Sequence, residues 1–199
     1  MEIYRYVLIP QTFRGFTIAE LLICLLILGL IATFTIPKVI TSQQNNQFNA
    51  IAKDDIAMVS GAYQQYQLSN AVSSNTKIGD LTPYMNYVAT SSVLVVDDVQ
   101  GSSSFACSSS YPCLILHNGS VLHYSTGSFG GTSPTNAIWF HIDPNGFYGG
   151  TTNGSDKAAS FFIYVNGQIV DEGNIKAGTA NSVQSYSANS SKVPPWFNW

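Results

Sequence analysis

The chain has 199 residues, enough for one head domain with its own core plus a long helix. Only 10% of residues are charged, Ser, Asn, Thr and Gly are abundant, and the formal net charge is −3 at pH 7. A general nucleic-acid surface is basic, and no Lys/Arg cluster is present, so the composition argues against that class of partner.

Residues 1–15 carry Arg5 and Arg14, and the stretch from Ile3 to Pro10, Arg5 included, is rather apolar. From Phe16 to Ile36 the chain runs 21 residues with Glu20 as its one charge. At about 1.5 Å per residue this is enough for one bilayer crossing. Basic residues precede the segment and acidic residues dominate after it, so the positive-inside rule predicts an amino-terminus in the cytoplasm and a head outside. An ordinary secretory signal fits poorly, because no small-residue cleavage site ends the apolar core. Glu20 is the anomaly: an unpartnered carboxylate is costly in a membrane segment and marks a functional position. A plain single-pass anchor has no need of it, and a Glu that only snorkels to the interface is the rival explanation.

The run Gly15-Phe16-Thr17-Ile18-Ala19-Glu20-Leu21-Leu22, the aliphatic stretch after it and Pro37 together resemble the amino-terminus of type IV pilins and type II secretion pseudopilins. The resemblance implies cleavage between Gly15 and Phe16 by a prepilin peptidase, N-methylation of Phe16, and Glu20 as the fifth residue of the mature chain. It further implies that Glu20 pairs, in a helical filament, with the new amino group of a neighbouring subunit. Residues 1–15 would then be the leader, less basic than usual for the family; a translation start downstream of Met1 or a variable leader accounts for that. Removing them takes away Glu2, Arg5 and Arg14 and leaves 6 basic against 10 acidic side chains, a net charge of −4. The resemblance says little about the head.

Beyond the membrane segment, Phe48, Ile51/Ala52, Asp55/Ile56, Val59, Ala62/Tyr63 and Tyr66 follow three- and four-residue steps, the stripe of a helix packed on a core. One long helix is predicted from about Phe16 to Ser69, with residues 16–36 as the transmembrane or filament-core part and residues 37–69 as the amphipathic half. Pro37 lacks an amide hydrogen and is a predicted kink.

Residues 70–199 form the predicted head. Residues 70–112 read as an irregular connection with a short helix near Leu81–Tyr87 and a strand or core plug at Val93–Val96. Cys113–Tyr124 and Phe161–Val170 each flank an Asn-Gly pair, a hairpin signal, and Ala137–Asp143 is a further strand. The predicted fold is α+β and pilin-like, one long helix on a four- to five-stranded antiparallel sheet. The aromatic end Trp196-Phe197-Asn198-Trp199 is expected to dock on the head or on a neighbour.

Cys107 and Cys113 are expected to form a disulfide outside the cytoplasm, with Cys24 left as an unpaired membrane residue. Metal binding there would need four ligands, with His117 and His123 as candidates. Asp143, Asn145, Asn153 and Asp156 lie on a Gly-rich loop and offer oxygens of the type calcium takes, although the bidentate Glu of an EF-hand is missing. The loop resembles one that precedes the last hairpin in many pilin-like heads. The competing account is a structural turn in which Asp and Asn cap their own backbone. His117, His123 and His141 sit on predicted strands without nucleophile-elbow or metalloprotease spacing, so no catalytic site and no other cofactor is expected.

The expectation is therefore a non-enzymatic subunit of a type IV pilus or type II secretion pseudopilus. Its partners would be copies of itself and other pilins or pseudopilins, the prepilin peptidase, the inner-membrane assembly platform and the membrane. The alternative is a membrane-anchored extracytoplasmic binding module that never polymerises.

Overall fold

A computed structural model of the chain describes residues 15–92, 95–96, 105–130, 136–146, 158–171 and 197. The first element, α1 (Ile18–Ser69), is a 52-residue helix. Thr17 caps it reciprocally with Glu20: the Thr17 backbone N–H and its hydroxyl donate to Glu20 Oε2 (2.8 and 2.9 Å), and the Glu20 N–H donates to Thr17 Oγ (3.2 Å). This is a capping box, which satisfies amide donors that the first helical turn leaves open. The chain divides into two compact units within α1, between Ser42 and Gln43.

In the first unit Leu22, Leu26, Leu30 and Phe34 are exposed, and the segment is long and apolar enough to cross a membrane. Its polar side chains are satisfied locally. Thr33, Thr35 and Thr41 donate their hydroxyls to the carbonyls of Gly29, Ile31 and Pro37 at 2.7, 2.9 and 3.0 Å, as a polar group in a lipid-like environment requires. Pro37 lies inside the helix, which continues through it as one element. Its ring removes the amide that would bond the Thr33 carbonyl. Cys24 is a free, exposed thiol.

In the second unit α1 buries Ala52, Asp55, Ile56, Val59, Ala62 and Tyr63, the stripe expected from the periodicity. A 3₁₀ turn, η1 (Ile78–Tyr84), follows and sends Ile78 and Leu81 into the core. It lies slightly before the short helix expected near Leu81–Tyr87. The strands are β1 (Tyr87–Ser91), β2 (Val95–Val96), β3 (Phe105–Ala106), β4 (Cys113–Leu116), β5 (Val121–Tyr124), β6 (Ala137–Asp143), β7 (Ala159–Tyr164) and β8 (Ile169–Asp171).

Six strands make one antiparallel sheet in the order β1-β4-β5-β6-β7-β8, while β2 and β3 form a separate pair. The α+β architecture is the expected one. The sheet is one strand wider than four to five because β1, inside the stretch predicted to be irregular, joins as an edge. Alternate residues stay half-buried along β1, and its register shifts between Tyr87 and Ala89, so it carries no strong apolar alternation to announce it.

Side chains alternate across the sheet. Leu114, Leu122, Tyr124, Ile138, Phe140, Ile142, Phe161 and Ile163 share one core with the buried stripe of α1. Phe197, from the carboxy-terminal segment, meets Phe161 edge-on at 5.0 Å and is buried in the same core. Docking of the aromatic end is thus seen at Phe197; Trp196 and Trp199 lie outside the described residues.

Both Asn-Gly hairpins form, each with a three-residue loop. In the first, Gly119 N–H donates to the Leu116 carbonyl (3.1 Å) and Leu116 N–H to the Ser120 carbonyl (3.0 Å). In the second, Gly167 N–H donates to Tyr164 and Tyr164 N–H to Gln168, both at 2.8 Å. Asn118 and Asn166 each accept from the amide two residues on, at 3.0 Å. Only the glycines take positive φ, +89° and +82°, the pattern of a type I turn closed by a left-handed residue.

α1 holds both loops. Asp55 bonds the first, and the Tyr63 hydroxyl donates to the Val165 carbonyl in the second while accepting from Gln67 Nε2 at 3.1 Å. These two residues lie about two helical turns apart, roughly 12 Å at 1.5 Å per residue, and so reach loops at opposite ends of the sheet. Cys107 and Cys113 are disulfide-bonded as expected, with Cα atoms 5.6 Å apart. Closing so short a loop contributes about 2 kcal/mol by restricting the unfolded chain.

Candidate functional site

The amino-terminal group is arranged simply. Phe16 is 83% exposed and Glu20 is exposed beside it. Both bonds that the Glu20 side chain accepts from Thr17 go to Oε2. The carboxylate therefore caps its own helix and remains open to a further donor. Residues 1–14, the rest of the predicted leader, lie outside the described residues.

The predicted calcium loop is described only in its first half. Asp143 ends β6, is buried, and accepts at Oδ1 from the amides of Asn145 (3.3 Å) and Gly146 (3.1 Å). That is the self-capping turn of the structural account. Asn153 and Asp156 lie outside the described residues. Among the described residues no three His, Cys, Asp or Glu side chains group as metal ligands do. The turn also packs tightly: a Cβ on Gly146 would lie 2.3 Å from the Gly119 carbonyl oxygen.

The histidines separate into two kinds. His117 is exposed in the first hairpin loop. His123 and His141 are buried and face each other across β5 and β6, with ring centroids 5.5 Å apart. Trp139 lies 5.4 Å from His123 and 4.6 Å from His141, and Tyr111, from the disulfide loop, stacks on Trp139 at 5.5 Å. Burial pushes the His123 imidazole down to about 4, so it is neutral at physiological pH. All three were expected on strands; His117 instead lies just past the end of β4. The register groups two of them in an aromatic layer, on the face of the sheet opposite the helix.

A second polar cluster carries residues that no functional motif singled out. Asp55, 2% exposed, projects from α1 against the first hairpin loop. Asn118 Nδ2 donates to Asp55 Oδ1 (2.8 Å). Ser120 Oγ lies 2.7 Å from Asp55 Oδ2 and 2.7 Å from Asn118 Oδ1. Burial pushes the Asp55 carboxyl up to about 6, assisted by the charge of Asp54 and opposed by the bonds from Ser120 and Asn118. The one signal in the sequence was a carboxylate inside an apolar stripe, where a buried charge has to find partners.

No protein-family model, no curated protein and no solved structure matches this chain.

Proposed function

We propose that the chain is a structural subunit of a type IV pilus or type II secretion pseudopilus, without catalysis of its own. The carrying observation is the Gly15-Phe16 junction followed by Glu20 at the head of a helix whose apolar side chains are exposed in the single chain. Such a helix needs lipid or other helices around it. In the proposed cycle it is held first in the inner membrane with its amino-terminus in the cytoplasm. A prepilin peptidase cuts before Phe16 and methylates the new amine. The assembly platform then moves the helix from lipid into a filament core. Apolar surface exchanges lipid for neighbouring helices, so little net burial is needed and an external motor can drive the polymer either way.

Glu20 supplies the register. A carboxylate entering an apolar filament core is strongly penalised unless it meets a cation, and the cleaved, methylated amine of a neighbouring Phe16 is one. The capping box supports this role, because it fixes the first turn while leaving Oε1 available. The disulfide-bonded head suits an extracytoplasmic location, where thiols oxidise.

Deleting the assembly motor ATPase in the native host tests the proposal against a non-polymerising anchored binder. The expected result is that the chain accumulates in the membrane fraction and its surface filaments and their function disappear. A head-dependent function that persists at full level without the motor contradicts the proposal.

A further inference from the structure

The contacts among Asp55, Ser120 and Asn118 constrain where the protons are. Ser120 Oγ sits 2.7 Å from two acceptor oxygens, Asp55 Oδ2 and Asn118 Oδ1, yet a hydroxyl has one proton to donate. The Asn118 amide cannot be turned over to supply another. Its Oδ1 accepts the Ser120 backbone N–H at 3.0 Å, and its Nδ2 donates to Asp55 Oδ1 at 2.8 Å. A flip would set oxygen against carboxylate and NH₂ against N–H. Every contact is satisfied if the carboxyl carries a proton: Asp55 donates to Ser120 Oγ, Ser120 donates to Asn118 Oδ1, and Asn118 donates back to Asp55 Oδ1.

We infer that Asp55, Ser120 and Asn118 form a closed, proton-dependent clasp that fastens the first hairpin loop to α1 and loosens when Asp55 releases its proton to solvent. Loss of that proton breaks the Asp55–Ser120 donation, forces one hydroxyl to serve two oxygens, and leaves a negative charge 2% exposed in the core. Among the described residues, none is seen to neutralise it. On α1 the flanking charged groups are Asp54, which opposes ionisation, and the exposed Lys53. The hairpin loop brings exposed His117, and β6 brings Asp143, whose side chain is on the other face of the sheet, bonded to its own turn. Among the described residues, Asp55 bonds only to Asn118 and Ser120. The clasp stands independently of the assembly proposal.

The sign of the pH effect follows from the raised carboxyl. The docked state keeps a proton that the opened state has released between the ordinary value of 3.8 and about 6. Docking is therefore strongest below that window, weakens as pH rises through it, and is level above it. Each pH unit in the window changes the opening equilibrium about tenfold, so roughly a hundredfold in all.

The test uses the full chain in detergent micelles. The Asp55 carboxyl carbon is followed by NMR against pH, and exchange of the Ser120 amide, corrected for its intrinsic rate, is measured across the same range. The wild type should titrate near pH 6, with Ser120 opening rising about a hundredfold across the window. Asp55→Asn reproduces the donor and acceptor of the protonated acid; its Ser120 amide should stay protected and independent of pH. Asp55→Ala should be open throughout. An Asp55 carboxyl that titrates at or below its ordinary value, or a pH dependence that survives in Asp55→Asn, overturns the clasp.

Discussion

Under the assembly proposal, Glu20→Gln is expected to leave the chain inserted and cut before Phe16 but nearly absent from sheared filaments, and Glu20→Ala is expected to behave the same way. The pair of substitutions separates two jobs that the carboxylate has. At the N3 position of a capping box, Glu20 bonds the Thr17 amide and hydroxyl. Gln serves that position too, whereas Ala loses the cap interaction. As the proposed partner of a neighbour's amine, Glu20 would have to be charged. In the proposed filament, removing one member of the pair leaves the other uncompensated, a loss repeated at every subunit contact. Subunit yield in purified filaments against yield in membranes is the measurement. Normal filament yield from Glu20→Gln would reduce the residue to a helix cap.

Gly146→Ala is expected to damage the head strongly. A Cβ there would lie 2.3 Å from the Gly119 carbonyl oxygen, which is backbone and cannot swing aside, and φ is +64°. Left-handed strain and the forced separation of two turns together cost roughly 2–4 kcal/mol. At the scaling for a chain of this size, that is about a 5–15 °C fall in melting temperature. Gly61→Ala provides the contrast. Its Cβ would meet nothing within 4 Å, and it lies inside α1, so the gain in helix propensity makes it neutral or stabilising by up to about 1 kcal/mol. Equal loss in the two variants would remove the argument from the close approach.

What the sequence revealed depended on how local the signal was. The stripe from Ala52 to Tyr63 and the two Asn-Gly hairpins were legible because periods of 3.6 and 2 act over a few residues. The loop type was not: Asn-Gly suggests a two-residue turn, yet both loops have three residues with only the glycine at positive φ. Edge strand β1 was missed because it lacks an alternating apolar face. The Asp55 clasp was hidden for a different reason. Asp55 and its partners are 63 and 65 residues apart in sequence, and only the crossing of α1 over the sheet brings them together. The layer of His123 and His141 likewise depends on strand register. The Gly15-Phe16-Glu20 group was the opposite case, complete in the sequence, with the fold adding only the capping box.

Intact-protein and peptide mass spectrometry of filaments sheared from the native host decides whether the chain is a processed filament subunit. The account predicts that this chain is a filament component whose first residue is Phe16, carrying one N-methyl group, with the Cys107–Cys113 bond intact. Filaments that lack the chain, or a membrane-bound chain still continuous across Gly15-Phe16 in cells that assemble filaments, would contradict it.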